Sequence, residues 1–395
     1  MREIYFDNSS TTQPSEAVRA VVMKTMTEDY GNPSSMHQKG VEAESYLKKA
    51  QETLARILKV RDKEIFFTSG GTESNNWALI GTALAKKRQG NTIITTTMEH
   101  PAVSEPLKFL EDEGFQIIRV PLKGRDGLDL EALDRALNND VILVTVMAVN
   151  NEIGAVMPLK KIGQMIREKA PQAVFHVDGT QAFGHYRLYP KDLKVDMLSA
   201  SAHKFHGPKG IGFLYIDSGV KIRPFILGGG QQMGMRSGTD NVPGAAGMAV
   251  AAREAYEAFD ERNARIAALK KRLIAGLEAI PDVVIHSGWD TSKEDETFVK
   301  GGWAPHIVNA AFIGVGSEVL LHTLEDRGIY ISAGSACSTH KRAPSPTLSA
   351  IGAGRDELSS SVRFSFSHLN TEEEVDIALT AINEVLPLLR RYRAH

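Results

Sequence analysis

Between Glu64 and Asp217, short runs of apolar and β-branched residues alternate with amphipathic stretches. The runs are EIFFT (64–68), NTIITTT (91–97), GFQIIRV (114–120), VILVTVMAV (141–149), AVFHVD (173–178), VDMLSAS (195–201) and GIGFLYI (210–216). Between the first three lie ESNNWALIGTALAKKR and HPAVSEPLKFLEDE, which read as helices. VILVTVMAV lacks polar alternation, as suits a strand covered on both faces. Strands alternating with helices predict a mainly parallel sheet in a three-layer α/β domain. Ligands of such sheets lie in the loops beyond the carboxyl ends of the strands.

After Gly247 the texture changes. The stretch from Met248 to Ile280 keeps apolar residues at three- and four-residue spacing and is expected to be one long helix leading into a second domain. Strands are predicted near HIVNAAFIG, GIYISA and SVRFSFS, with a closing helix from Glu372, giving a smaller α+β unit. The polar DTSKEDETFVKGG segment (290–302) is expected to be an exposed, mobile loop. The expected division is a large domain over residues 14–252 and a small one formed by 1–13 with 253–395. No internal repeat is present.

The 395 residues are 42% hydrophobic and 24% charged, enough for at least one sizeable core. The formal net charge of −2 gives no electrostatic reason for nucleic acid or an anionic membrane as the main partner. No run approaches the ~18 apolar residues of a membrane span, and MREIYFDNSS lacks a secretory apolar core, so a cytoplasmic protein is expected. The single cysteine, Cys337, excludes an intrachain disulfide and is either an inert small hydrophobe or a reagent.

The candidate chemistry falls at strand ends. After EIFFT comes SGGTESNN, whose Gly71 and Thr72 open a helix, so that free backbone N–H groups and the helix dipole make an anion site. The spacing is not that of a P-loop. His100 follows NTIITTT, Asp178 ends AVFHVD with Gln181 just beyond, and Ser201, His203 and Lys204 follow VDMLSA. Singly, each has a bland reading: a helix cap, a satisfied structural histidine, a solvated lysine. Together, an anion cradle, an imidazole, an aspartate, a glutamine and a lysine on one sheet edge are the equipment for pyridoxal phosphate. Lysine supplies an amine for the cofactor aldehyde, and aspartate keeps the pyridine nitrogen protonated. The rival reading is a metal site using His176, Asp178, His203, His206, Glu99 and His100. A Gly-Pro turn after His206, with no helix to align the histidines, argues against it, and no metal is expected.

The ordered motifs FDNSSTT (6–12), YGNPSSMH (30–37), FTSGGTESNN (67–76), EHPAV (99–103), NNEIGAVMP (150–158), HVDGTQAFG (176–184), SASAHKFHGPKGIG (199–212), GGGQQMGMRSGTDNV (228–242), SAGSACS (332–338) and SVRFSF (361–366) span nearly the whole chain. In them the sequence resembles cysteine desulfurases of the NifS/IscS type, within the class V aminotransferases. The resemblance implies a PLP-transferase fold of the aspartate aminotransferase kind and conversion of L-cysteine to L-alanine with sulfur left as a persulfide on Cys337. It implies Lys204 as the Schiff-base lysine, Asp178 as the pyridinium partner, Gln181 beside the phenolic oxygen and His100 as stacking acid/base. Gly71, Thr72, Ser201 and His203 would hold the phosphate, joined by Thr239 from a second subunit, which implies a homodimer. Asn151 would lie beside cofactor and substrate, and Arg363 would clamp the substrate carboxylate. The implied partner is a sulfur acceptor: an iron–sulfur scaffold or a tRNA- or cofactor-thiolation enzyme.

Some positions depart from that pattern. Gln232-Met233 stands where many relatives have Glu-Arg, Ala333 and Ser338-Thr339 replace commoner residues, and the 290–302 segment is long. Alternatives are another class V enzyme (an aminotransferase or a selenocysteine lyase) and a non-catalytic sulfur-carrying scaffold. The last has no need of Lys204, Asp178 and Arg363.

Overall fold

In the computed structural model, which describes residues 3–124, 127–288, 294–333 and 344–392, the seven apolar runs become neighbours in one sheet. In chain order the strands are β1 (Ile4–Tyr5), β2 (Ile65–Thr68), β3 (Thr92–Thr96), β4 (Gln116–Val120), β5 (Val141–Met147), β6 (Ala155–Val156), β7 (Val174–Asp178), β8 (Met197–Ser201) and β9 (Gly212–Ile216). The large sheet has the order β2-β9-β8-β7-β5-β3-β4. Strand β9 is antiparallel to both its neighbours and every other pair is parallel. All residues of β5, β7 and β8 are buried, which is why β5 reads as a continuous apolar run, while β7 and β8 bury His176, Asp178, Ser199 and Ser201 as well.

Helices α1 (Glu16–Thr27), α2 (Gln38–Leu58), α3 (Gly71–Lys86) and α4 (Pro101–Asp112) follow the same order along the chain. Trp77 and Leu79 of α3 and Val103 and Leu107 of α4 pack with Phe66, Val174, Met197 and Leu214 on one face of the sheet. Leu47, Leu54 and Leu58 of α2, with Val242 and Met248 of the helix Val242–Glu257, pack with Phe67, Phe175, Leu198 and Phe213 on the other. Neighbouring residues of each strand thus serve opposite layers. The chain therefore has the three-layer α/β architecture with a mainly parallel sheet.

A second core forms around an antiparallel sheet of Val283–Ile285, Ile307–Phe312, Ser361–Ser365 and Ser332–Ala333. The N-terminus is stitched into it: β1 pairs in parallel with Ile329–Tyr330, and the Phe6 and Phe366 rings meet edge-on at 5.1 Å. Residues 7–12 then leave this core and run to the other, where the Thr12 amide donates to the His203 carbonyl at 2.9 Å.

Two expectations are corrected. The Met248–Ile280 pattern is two helices, Val242–Glu257 and Phe259–Glu278, broken at Ala258 (φ −111°, ψ 36°). There Phe259 stacks on Tyr256 and lies under the Arg187 guanidinium, so the second helix starts on an aromatic anchor. The 290–302 segment is no exposed loop over its described part: Glu294–Lys300 is helical and Gly302–Trp303 pairs with β6. Phe298 is buried against Tyr186 at 5.3 Å, and that apolar anchor orders the segment. Among the described residues no helix is long and apolar enough to cross a membrane.

Candidate active site

The carboxyl ends of β2, β3, β5, β7 and β8, with the N-terminal turn and the Arg363 strand, enclose a pocket of about 590 Å³. Gly71, Thr72, His100, Asn151, Asp178, Gln181, Ser201, His203, Lys204 and Arg363 all line it. Of the residues singled out from the sequence, Thr239 is exposed and not part of the lining, and Cys337 lies outside the described residues.

One side of the pocket is built for an anion. Helix α3 starts at Gly71, so the N–H groups of Gly71, Thr72 and Glu73 have no acceptor within the helix. Gly70 adopts φ 154°, ψ −176°, a conformation open essentially to glycine alone. Gly212 of β9 lies against it, and a Cβ there would meet the Gly70 Cα at 2.8 Å and the Ala200 carbonyl oxygen at 2.5 Å. The sequence SGG opposite GIG thus lets the turn settle onto the sheet. Ser201 ends β8 beside it, and His203 Nδ1 meets Thr11 Oγ1 at 3.2 Å. Burial, helped by the charges of Lys204 and Lys209, pushes the His203 pKa down to about 4, so the ring is neutral at physiological pH.

The rest of the lining carries further titratable groups. The Asp178 carboxylate accepts from Asn75 Nδ2 at 2.8 Å and from the Thr180 amide at 3.0 Å. Gln181 Nε2 donates to the Ser9 carbonyl at 2.9 Å. Lys204 Nζ donates to that same carbonyl at 2.6 Å and to the Ser10 carbonyl at 2.9 Å. His100 is the N-cap of α4, with Pro101 next, and its Nδ1 accepts from the Ala102 amide at 3.0 Å. A neutral His100 ring therefore carries its proton on Nε2. Burial lowers the His100 pKa, Lys204 adds to this and Asp178 opposes it, so neutrality is the resting condition.

Comparison with known proteins gives the family of the chain. The aminotransferase class-V family description matches residues 4–378. The cysteine desulfurase IscS of Clostridium botulinum is 40% identical, the match covering 99% of this chain and 95% of that protein. The cysteine desulfurase IscS of Methanosarcina thermophila is 39% identical over 98% of this chain and 93% of that protein. The chain belongs to the class-V aminotransferase family. Among solved structures, a NifS-like protein superposes with a TM-score of 0.90 at 37% identity, covering 98% of this chain and all of that one. SspA in complex with cysteine superposes with a TM-score of 0.79 at 29% identity, covering 93% of this chain and all of that one.

In this class-V aminotransferase chain the metal-ligand candidates do not gather as one set: His100, Asp178 and His203 line the pocket, whereas His176, Glu99 and His206 do not. His176 is buried behind Asp178, with Nδ1 bonded to Thr145 Oγ1 at 2.8 Å and Nε2 to Ser199 Oγ at 2.9 Å. Burial lowers its pKa to about 4, against the pull of Asp178, and both nitrogens are used within the protein. His206 Nδ1 meets the Gln13 carbonyl at 2.7 Å.

Six further residues complete the site. Ser9, Ser10, Thr11, Asn75, Thr180 and Lys209 line the pocket. The first three belong to FDNSSTT, so the motif was visible although its place was not. The departure at Gln232 also gains a structural reason. Its Oε1 accepts from the Phe67 amide at 2.6 Å and its Nε2 donates to the Phe67 carbonyl at 3.0 Å. An ionised glutamate would lack the second bond. Nearby, Arg236 grips Glu73 of the pocket wall with two bonds of 2.9 and 3.1 Å, which anchors the loop that carries Thr239.

Proposed function

We propose that this chain is a pyridoxal 5'-phosphate-dependent cysteine desulfurase, acting on L-cysteine and passing its sulfur to an acceptor protein. The observation that carries the reading is the placing of the Lys204 amine in one pocket with the doubly anchored Asp178 carboxylate and the α3 N-terminus. The pocket also fits the cofactor in its unused donors and acceptors. Thr180 Oγ1 and Asn75 Oδ1 are buried with no hydrogen-bond partner among the described residues, and both residues belong to the lining.

Bound there, pyridoxal phosphate would supply an aldehyde for the substrate amine and a ring that draws electrons from Cα. Gly71, Thr72, Ser201 and His203 would hold its phosphate, Asp178 its ring nitrogen, Gln181 its phenolic oxygen, and His100 would cover the ring. His100 Nε2–H is oriented as a proton donor by the Ala102 contact at Nδ1. Lys204 would move the Cα proton, and Asn151 and Arg363 would hold the substrate carboxylate. Cys337 would take the sulfur: an S–S bond forms to its thiolate, the substrate Cβ–S bond breaks, its electron pair stays with the carbon, and a proton completes alanine. Residues 14–252 would form the cofactor-binding domain and 1–13 with 253–395 the domain that carries Cys337.

Thr239 would reach the phosphate of a second subunit in a homodimer, and an iron–sulfur scaffold or a thiolation enzyme would take the persulfide sulfur. The test is spectroscopic. The purified protein should be yellow, and borohydride should bleach it while fixing the cofactor to Lys204 as a peptide mass shift. A colourless protein that pyridoxal phosphate does not turn yellow refutes the reading.

A further inference from the structure

We infer that Asp7 is a positioning residue for the substrate-carboxylate clamp, acting on Arg363 directly and through Ser10. The inference rests on the proposed role of Arg363 as that clamp.

Arg363 is only 3% exposed. A buried guanidinium needs a counter-charge and a full set of acceptors, and each missing one is costly. Its Nη1 donates to the Asn151 carbonyl at 2.7 Å. Its Nη2 donates both to Asp7 Oδ1 at 2.8 Å and to Ser10 Oγ at 2.7 Å. The Ser10 hydroxyl in turn donates to the same Asp7 oxygen at 2.7 Å. Asp7 Oδ1, Ser10 Oγ and Arg363 Nη2 therefore form a closed triangle, in which the charge of Asp7 polarises the hydroxyl that supports the arginine.

A second carboxyl, Glu152, lies within the arginine's field but forms no ion pair with it among the described residues. Glu152 receives the Ser345 hydroxyl at 2.5 Å, and burial raises its pKa, favouring the uncharged form. Asp7 is the carboxylate that pairs with Arg363 among the described residues.

The geometry leaves one N–H of the guanidinium without a protein acceptor. Arg363 Nε is buried with no partner among the described residues. Arg363 and Ser10 line the pocket whereas Asp7 does not, so Asp7 grips the arginine from outside the lining. The same turn also holds the lysine, since the Ser9 and Ser10 carbonyls accept from Lys204 Nζ. An α-amino acid carries its amine and carboxylate on one carbon. A single turn, residues 7–10, orients the side chain that exchanges with the amine and the one that would bind the carboxylate.

Orientation of a carboxylate that stays bound throughout the reaction is uniform binding, which moves KM and leaves kcat. The experiment uses pyridoxal-phosphate-loaded wild type, Asp7→Ala, Asp7→Asn, Ser10→Ala and Arg363→Ala. It measures the Kd of L-alanine by calorimetry, together with KM and kcat for L-cysteine. Asp7→Ala should weaken L-alanine and raise KM about tenfold, with kcat within about twofold of wild type. Asp7→Asn keeps an oxygen acceptor for Nη2 but not the counter-charge and should recover only part of that loss. An Asp7→Ala enzyme with wild-type L-alanine affinity, or one that loses kcat alone, overturns the inference, and so does an Asp7→Asn enzyme that binds more tightly than wild type. If Asp7→Ala does not fold, Ser10→Ala decides: about threefold weaker L-alanine binding supports the relay and unchanged binding overturns it. Arg363→Ala separates the two layers. Wild-type L-alanine affinity in that variant refutes the clamp itself, whereas a loss there with none in Asp7→Ala refutes only the role of Asp7.

Discussion

Asn75 Nδ2 donates to Asp178 Oδ2 at 2.8 Å, and both residues are buried and line the pocket. With the Thr180 amide on the other oxygen, the carboxylate has a fixed orientation. Asn75→Ala removes one hydrogen bond to a charged group, worth about 1.5–3 kcal/mol. Retention of pyridoxal phosphate should fall about ten- to hundredfold, measured as the cofactor concentration that restores the visible absorption of dialysed protein. Unchanged retention would show that Asp178 orients itself without Asn75.

Glu99 provides a pH signature. Its Oε1 accepts from Thr96 Oγ1 at 2.7 Å and from the Met147 amide at 3.1 Å, while Oε2 is buried with no partner among the described residues. Burial, with Asp178 adding to it, raises its pKa from 4.5 to about 8. Between those two values the folded protein keeps a proton that the unfolded chain has lost, so this group makes stability fall as pH rises. Below the lower value it contributes nothing, and above the upper one the full penalty applies. Glu99→Gln removes the proton equilibrium and keeps the Oε1 acceptor. Its stability relative to wild type should therefore improve from pH 5 to pH 8, by up to about 1.4 kcal/mol per pH unit. Urea titrations across that range check it, and equal pH slopes for the two proteins would refute it.

The sheet was legible in the sequence because parallel strands buried on both faces write themselves as unbroken apolar runs, and because ligand-binding residues of such sheets follow those runs directly. Asp178 and Lys204 are each within a few residues of a strand end, so their convergence could be read. Ser9 and Ser10 could not be placed in this way. They meet Lys204 across 195 and 194 residues, by a chain path that first joins the second core. Asn75 was hidden for a local reason: in ESNN either asparagine could face the pocket, and only the helix phase selects Asn75 for Asp178 while Asn76 turns back to the Thr72 carbonyl. The break at Ala258 was invisible because apolar spacing continues through it. The helix at Glu294–Lys300 was missed because its burial rests on Phe298 within a polar run.

The exposed position of Thr239 yields a test by mixing. If Thr239 serves the phosphate of a second subunit, a Lys204→Ala chain and a Thr239→Ala chain should complement each other. Hybrid dimers would contain one site intact in both respects, so activity should exceed that of either parent after verified subunit exchange. No gain would mean that the phosphate site is completed within one chain.

The choice between desulfurase and aminotransferase rests on Cys337, because sulfur transfer needs a protein thiolate and transamination does not. Cys337→Ser is the informative change. Serine is similar in size, but its hydroxyl stays protonated near neutral pH and accepts sulfur poorly, whereas a free thiol of pKa about 8.5 already supplies a few per cent of thiolate. The variant should bind cofactor and change its spectrum with L-cysteine, since the pocket residues that would contact cofactor and amino acid are untouched. It should form neither a protein persulfide nor catalytic alanine. Wild type treated with L-cysteine should gain one sulfur on the peptide containing Cys337, removable by reductant and visible by mass spectrometry. Alanine formed by Cys337→Ser at the wild-type rate would exclude this thiol as the sulfur acceptor and shift the reading to transamination or another lyase chemistry in the same pocket.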